Sequence, residues 1–274
     1  MSAIFRAAAL LDRLGARTLV ARGVNLAYAR RTPGMTCSVD PAGRWVNAQR
    51  EASVVSPVIH TTPYADYRAW VLDNWCHGTL PQPGDTVIDV GAGVGEEAVV
   101  FSQLVGPTGR VIAIEAHPGV FRCLEETVRR SGLSNVTALG LAVGATDGSI
   151  EISAGDNVLT HSIVARRAGP GSKTVALRRL DSLADELGIG EVALVKMNIE
   201  GAETDALRGM AGLAARTRNA VISCHDFLAA RGGDPALRTR ADCLPLLEGY
   251  GFAIATRPDH RDEWTRDYLY GSRG

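Results

Sequence analysis

The sequence predicts an α/β protein: a doubly wound, mostly parallel sheet with an antiparallel C-terminal strand and an N-terminal helical extension. Three observations predict it. Between residues 85 and 225, short apolar runs suited to buried strands alternate with helical stretches, the pattern of right-handed strand–helix–strand crossovers. A glycine-rich turn links the first of those strands to its helix. The composition is ordinary for a globular chain, with 46% of 274 residues hydrophobic and 22% charged, enough for one large domain with an added lobe.

The elements follow in order. Residues 2–22 carry Ile4, Ala8, Leu11, Leu14 and Leu19 at helical spacing with arginines between them, which predicts an amphipathic helix. Residues 30–62 are rich in Pro, Gly, Ser and Thr and are expected to form an irregular arm. YADYRAWVLDNW at 64–75 reads as a helix, and PQPG at 81–84 punctuates before the strand DTVIDV at 85–90. A helix is expected from Gly95 to Leu104, a strand at 110–115, and a helix from Pro118 to Ser131, where proline suits the first turn. VTALGLAV at 136–143 is the third strand. SIEIS (149–153) and TVALRRL (174–180) suggest an antiparallel insertion around a polar loop. Asp181 is placed as the cap of a helix to Leu187, followed by strands at 193–198 and 220–224 and closing strands at 251–256 and 267–271. The division expected is a covering arm over 1–80 and the sheet domain over 81–274.

Several function classes lose ground at once. A formal net charge of -1 provides no global field for nucleic acid or anionic membrane. Five scattered cysteines with no CxxC pair are neither a disulfide framework nor a zinc site. The run AAALL at 7–11 meets Asp12 and Arg13 immediately, too early for a signal peptide or a membrane span. A soluble, cytoplasmic protein is expected.

VIDVGAGVGEEA at 87–98 carries the first chemistry. Asp89 ends the strand, and Gly91, Gly93 and Gly95 open a helix, with Ala92 between them. A dinucleotide site would place a third glycine at position 96 to admit a pyrophosphate. This chain has Glu96 there and Glu97 after it. Two carboxylates repel a pyrophosphate but suit the amino and sulfonium groups of S-adenosylmethionine, although they also favour a helix N-terminus in their own right. Glu115, at the tip of the second strand, is placed to accept both hydroxyls of a ribose.

The second signal is LVKMNIEGAETDAL at 194–207, a buried strand that turns polar at its tip with Lys196, Asn198, Glu200 and Glu203. Ligands of parallel sheets sit at the carboxyl ends of the strands, so this tip faces the functional edge. His225 and Asp226, after the strand at 220–224, join it there.

Together with VIAIEAHP and LDSLADELGIGEVALVKMNIEGAETDALRG, the glycine-loop block resembles the FkbM-type S-adenosylmethionine-dependent methyltransferases over roughly residues 80–225. The resemblance implies a class I, Rossmann-like enzyme, many of whose members methylate hydroxyls of sugars and natural products. It implies Asp89, Gly91, Gly93 and Gly95 for the methionine moiety, Glu115 for the ribose, Ala116 and His117 beside the adenine, and Ala142 and Val143 as its shelf. One departure is Asn198, where the family usually carries aspartate. Another is in the fifth strand, where Ser223 or Cys224 stands in place of a carboxylate before His225.

Methyl transfer from a sulfonium to an alcohol needs alignment and a base, or a metal that lowers the alcohol's pKa. Two arrangements are open. In one, Asn198, His225 and Asp226 hold a magnesium-like ion and Glu200 is the base, although an amide and an imidazole are poorer ligands than magnesium prefers. In the other there is no metal: Glu200 or His225 is the base, positioned by Lys196 and Asn198. Lys196 could equally be structural, paired with Glu203 or Glu115, and Glu203 reads as a first-turn carboxylate satisfying amides. His60 and Tyr64 are placed in the covering arm, His161 in the insertion loop, and Trp70 and Trp75 in the core. The expected function is O-methylation of a small-molecule hydroxyl, with a sugar or glycosylated metabolite as the expected acceptor. An inactive nucleoside-binding scaffold and an NAD-dependent oxidoreductase are the alternatives; no Tyr-xxx-Lys pattern supports the latter. The unplaced N-terminal helix suggests a homodimer.

Overall fold

The computed structural model describes residues 16–59, 62–152 and 172–273. The described chain enters through α1 (Arg17–Arg31), so the expected helix continues nine residues beyond 22; most of its anticipated span lies outside the described residues. Val20, Ala21, Val24 and Tyr28 lie along one face of α1 and pack on Met35, Cys37 and Trp45. The expected irregular arm is instead a three-stranded antiparallel sheet of β1 (Thr36–Val39), β2 (Trp45–Ala48) and β3 (Ser53–Ser56). Its strands span four residues each, too short for an alternating pattern to stand out, and Pro41 and Gly43 belong to the turn between the first two. Asp40 builds the first turn by accepting the amides of Ala42 and Arg44 at 2.9 and 2.8 Å.

After α2 (Tyr64–Asn74), the chain alternates β4 (Thr86–Val90), α3 (Glu96–Val105), β5 (Arg110–Ile114), α4 (Pro118–Arg130) and β6 (Val136–Leu139). The expected third strand is broken. After β6 the chain leaves the main sheet, and β7 (Ala142–Val143) pairs with β9 (Lys173–Arg178). The anticipated antiparallel insertion is β9 with β8 (Gly148–Ile152). α5 (Leu180–Glu186), β10 (Val192–Met197), α6 (Glu203–Arg208), α7 (Ala211–Ala214), β11 (Thr217–Ser223), α8 (Asp226–Ala230) and α9 (Arg240–Gly249) follow, then β12 (Ala253–Ala255) and β13 (Tyr268–Ser272). Asp181 does not cap α5. It sits in that helix's first turn, and its carboxylate receives the amides of Gly212 and Leu213 at 3.2 and 2.8 Å, so it holds α7.

The main sheet runs β12-β13-β11-β10-β4-β5-β6, with β13 antiparallel to β11 and to β12 and the other neighbouring pairs parallel. β10 and β4 lie at its centre, and β10 is buried along its whole length because neighbours cover both edges and helices cover both faces. The small N-terminal sheet docks onto α4, where the Val55 amide donates to Thr127 Oγ1 at 2.9 Å. Among the described residues, no helix is long and apolar enough to cross a membrane.

Candidate functional site

The carboxyl ends of β4, β5 and β10 converge on one cleft. Gly91, Gly93, Glu96, Glu115, Ala116, His117, Ala142, Val143, Asn198 and Glu200 line it, as do Glu97, Leu141, Ile199 and Tyr67. The first ten are residues singled out from the sequence for cofactor or catalysis. Asp89, Ala92 and Gly95 are not in its lining. They stand directly behind it.

The glycine loop is shaped by two opposite demands. At Gly91, a Cβ would lie 2.0 Å from the Asn198 carbonyl oxygen, so only glycine lets the loop rest on the end of β10. At Gly93, which has φ +55°, a Cβ would meet no atom within 4 Å. That open space beside the peptide is where a ligand can approach the backbone.

Glu115 faces the loop. Its Oε2 accepts the Gly93 amide at 3.0 Å and its Oε1 accepts the His117 amide at 2.7 Å. Burial pushes the Glu115 carboxyl up to about 7, against those two amides. Each oxygen keeps a lone pair for a hydroxyl. His117 also caps α4, its Nδ1 accepting the amides of Gly119 and Val120 at 3.2 and 3.3 Å. The lining therefore fits S-adenosylmethionine: a carboxylate able to hold the ribose, an open glycine peptide, apolar walls from Ala142 and Val143, and acidic Glu96 and Glu97.

Lys196 and Asp89 turn out to be each other's partner. They are register neighbours on β10 and β4, both wholly buried, with Nζ 2.8 Å from Oδ1. Nζ also donates to the Gly91 carbonyl at 2.9 Å and lies 5.0 Å from the centre of the Trp75 ring. Burial works against the charge of Lys196, but Asp89, Glu97 and Glu115 outweigh it and its pKa is raised. The structure thus places Lys196 beneath the glycine loop, not in the cleft beside a base, and its partner is neither Glu203 nor Glu115.

Glu200 stands on the rim with φ +47°, the only positive φ at a non-glycine among the described residues. A left-handed conformation there costs on the order of 1 kcal/mol and marks a turn that its surroundings hold. Burial raises its carboxyl pKa, as does the nearby charge of Glu203, while His225 pulls it down. His225 is buried, and its Nδ1 lies 3.1 Å from Glu203 Oε1. Glu203, wholly buried, also accepts the Gly201 amide at 2.8 Å and the Thr239 hydroxyl at 3.0 Å.

Two of the three side chains named for a metal ion are partly engaged elsewhere. Asp226 Oδ2 is engaged at the start of α9, accepting the amides of Thr239 and Arg240 at 3.2 and 3.1 Å, and His225 turns Nδ1 to Glu203. Among the described residues, no three His, Cys, Asp or Glu side chains gather as a metal set.

Trp75 is core, stacked on Tyr268 with ring centres 4.8 Å apart, whereas Trp70 is only half-buried against Tyr67. Tyr64 does not line the main cleft; its hydroxyl donates to Gln103. His60 and His161 lie outside the described residues. Tyr67 is the residue that sequence reasoning missed. Burial and the adjacent Glu97 and Glu96 drive its phenol pKa well above the ordinary value. The signal for it is its place on the stripe Tyr64–Tyr67–Val71–Trp75, at helical spacing.

Comparison with known proteins gives the family. The family described as Methyltransferase FkbM domain matches residues 89–262. The AMB antimetabolite synthetase AmbE of Pseudomonas aeruginosa is 29% identical over 229 residues, 70% of this chain but 10% of that much longer protein. The 2-O-methyltransferase NoeI of Sinorhizobium fredii is 28% identical over 188 residues, 62% of this chain and 74% of its own. The hexuronic acid methyltransferase AglP of Haloferax volcanii is 25% identical over 190 residues, 69% of this chain and 71% of its own.

Proposed function

The chain belongs to the FkbM methyltransferase family, and on that premise we propose that it is an S-adenosylmethionine-dependent O-methyltransferase acting on a hydroxyl of a sugar or glycosylated metabolite. The observation that carries the reading is Glu200, a carboxylate of raised pKa held in a strained turn on the rim of the cleft that Gly93 and Glu115 line. The names of NoeI and AglP supply the acceptor class: one is an O-methyltransferase and the other acts on a hexuronic acid.

When bound, S-adenosylmethionine supplies an electrophilic methyl group on a sulfonium. Glu115 would accept the ribose hydroxyls, and Glu96 and Glu97 would complement the cosubstrate's positive charge. Asn198, neutral and beside Glu200 on the cleft wall, would orient the acceptor hydroxyl. Glu200 would take its proton during attack, a role suited to a carboxylate whose pKa burial raises. No step passes through a metal ion.

Calorimetric titration with S-adenosylhomocysteine and with NAD tests the cosubstrate. Binding of the first alone is expected; binding of NAD would restore the oxidoreductase reading. Glu200→Gln should bind S-adenosylhomocysteine as the parent does and lose at least about 100-fold in turnover on a responsive glycoside. Normal turnover would remove Glu200 as the base.

A further inference from the structure

We infer that Glu203 is a positioning residue of this site: its buried carboxylate fixes the ring tautomer of His225 and holds the turn that presents Glu200. In its functional part the inference rests on the reading of Glu200 as base; the tautomer stands on geometry alone.

The two oxygens of Glu203 do different work. Oε2 receives the Gly201 amide at 2.8 Å and the Thr239 hydroxyl at 3.0 Å. Gly201 follows Glu200 directly and has φ +101°, so this contact pins the strained turn from its C-terminal side. Oε1 faces His225 Nδ1 at 3.1 Å. A carboxylate offers only acceptors, so the imidazole proton belongs on Nδ1 and Nε2 keeps its lone pair. Three of the four groups, Glu203, Thr239 and His225, are buried, and Gly201 is half-buried. A single side chain thereby links the backbone that carries Glu200 to the His225 ring.

An isosteric amide gives the arrangement a sharp test. In Glu203→Gln, the amide oxygen must stay where Oε2 is, because two donors converge there. The amide nitrogen then faces His225 and donates to Nδ1, which forces the imidazole proton to Nε2. A carboxylate-to-amide change beside the histidine of a serine protease inverts the ring in the same way and costs about 10⁴ in turnover.

The experiment is a long-range nitrogen–proton NMR correlation of ring-labelled histidines at about pH 8, where a free imidazole is neutral, with His225 assigned by its loss in His225→Asn. The parent protein should show Nδ1 protonated and Nε2 bare, and Glu203→Gln should show the reverse. A parent ring already protonated at Nε2 would overturn the inference, with no variant required. So would a tautomer unmoved by Glu203→Gln. On a methylated acceptor, the same variant should lower kcat at least about 100-fold, leaving KM and S-adenosylhomocysteine affinity unchanged; parental kcat would refute the positioning role. Failure of the parent to bind S-adenosylhomocysteine would sink the proposed function and leave the tautomer assignment untouched.

Discussion

Asp89 and Glu203 are both wholly buried carboxylates close behind the same cleft, yet they are satisfied in opposite ways. Asp89 has one partner, the permanent charge of Lys196, at 2.8 Å. Glu203 is shared among an amide, a hydroxyl and an imidazole. An ion pair of the first kind is rigid and unforgiving, because removing either member strands a charge in the core. A distributed network of the second kind tolerates the loss of a spoke. The first suits a scaffold under the glycine loop, and on the proposed reading the second suits the end of the cleft beside the base.

The largest effect should separate them. Lys196→Met leaves Asp89 buried without its cation and should cost about 3–5 kcal/mol of stability, read as a lowered denaturation midpoint. A loss below about 1 kcal/mol would show that the pair is not what supports the loop. Of intermediate size is Glu115→Gln, which should weaken S-adenosylhomocysteine about tenfold through one charge-assisted hydrogen bond. The parent's affinity should also depend on pH. Glu115 binds hydroxyl donors best when ionised, so affinity falls as pH drops through about 7 and levels off above it. The sign for folding is the reverse. With its pKa raised from 4.5 to about 7 in the folded chain, this group favours the fold below 4.5, and that contribution is lost as pH rises through about 7. An affinity flat between pH 5.5 and 8 (roughly the window around that value) would contradict the binding statement, and a denaturation midpoint flat over about pH 4.5 to 7 the folding one. The smallest effect belongs to Thr239→Val, one spoke of the Glu203 network, at about 1 kcal/mol by denaturant titration. A loss as large as that of Lys196→Met would erase the contrast.

Much of this was legible in the residues themselves. The alternation of strands and helices, the glycine turn and the polar tip of β10 each follow from local pattern, and the cleft gathers residues from all three. What was not legible was partnership. Lys196 and Asp89 are 107 positions apart in the sequence, and only the pairing of β10 beside β4 puts them in register; periodicity says which face a residue takes but not which strand lies next to it. Asp181 shows the same limit at shorter range, since its spacing suits the helix it begins while its oxygens serve α7. The strands of the N-terminal sheet escaped because four residues are too few for alternation to register against a background of turn formers.

The close approach at Gly91 has an engineering consequence. Its α-carbon rests against the carbonyl of Asn198 with no room for a methyl group, so the turn that would grip the cosubstrate and the turn that carries Glu200 are seated in one another like parts of a joint. Whoever wishes to redesign acceptor preference by transplanting residues 198–203 from a relative must transplant the 91–95 turn with it. Exchanged singly, either half would meet a socket cut for a different partner.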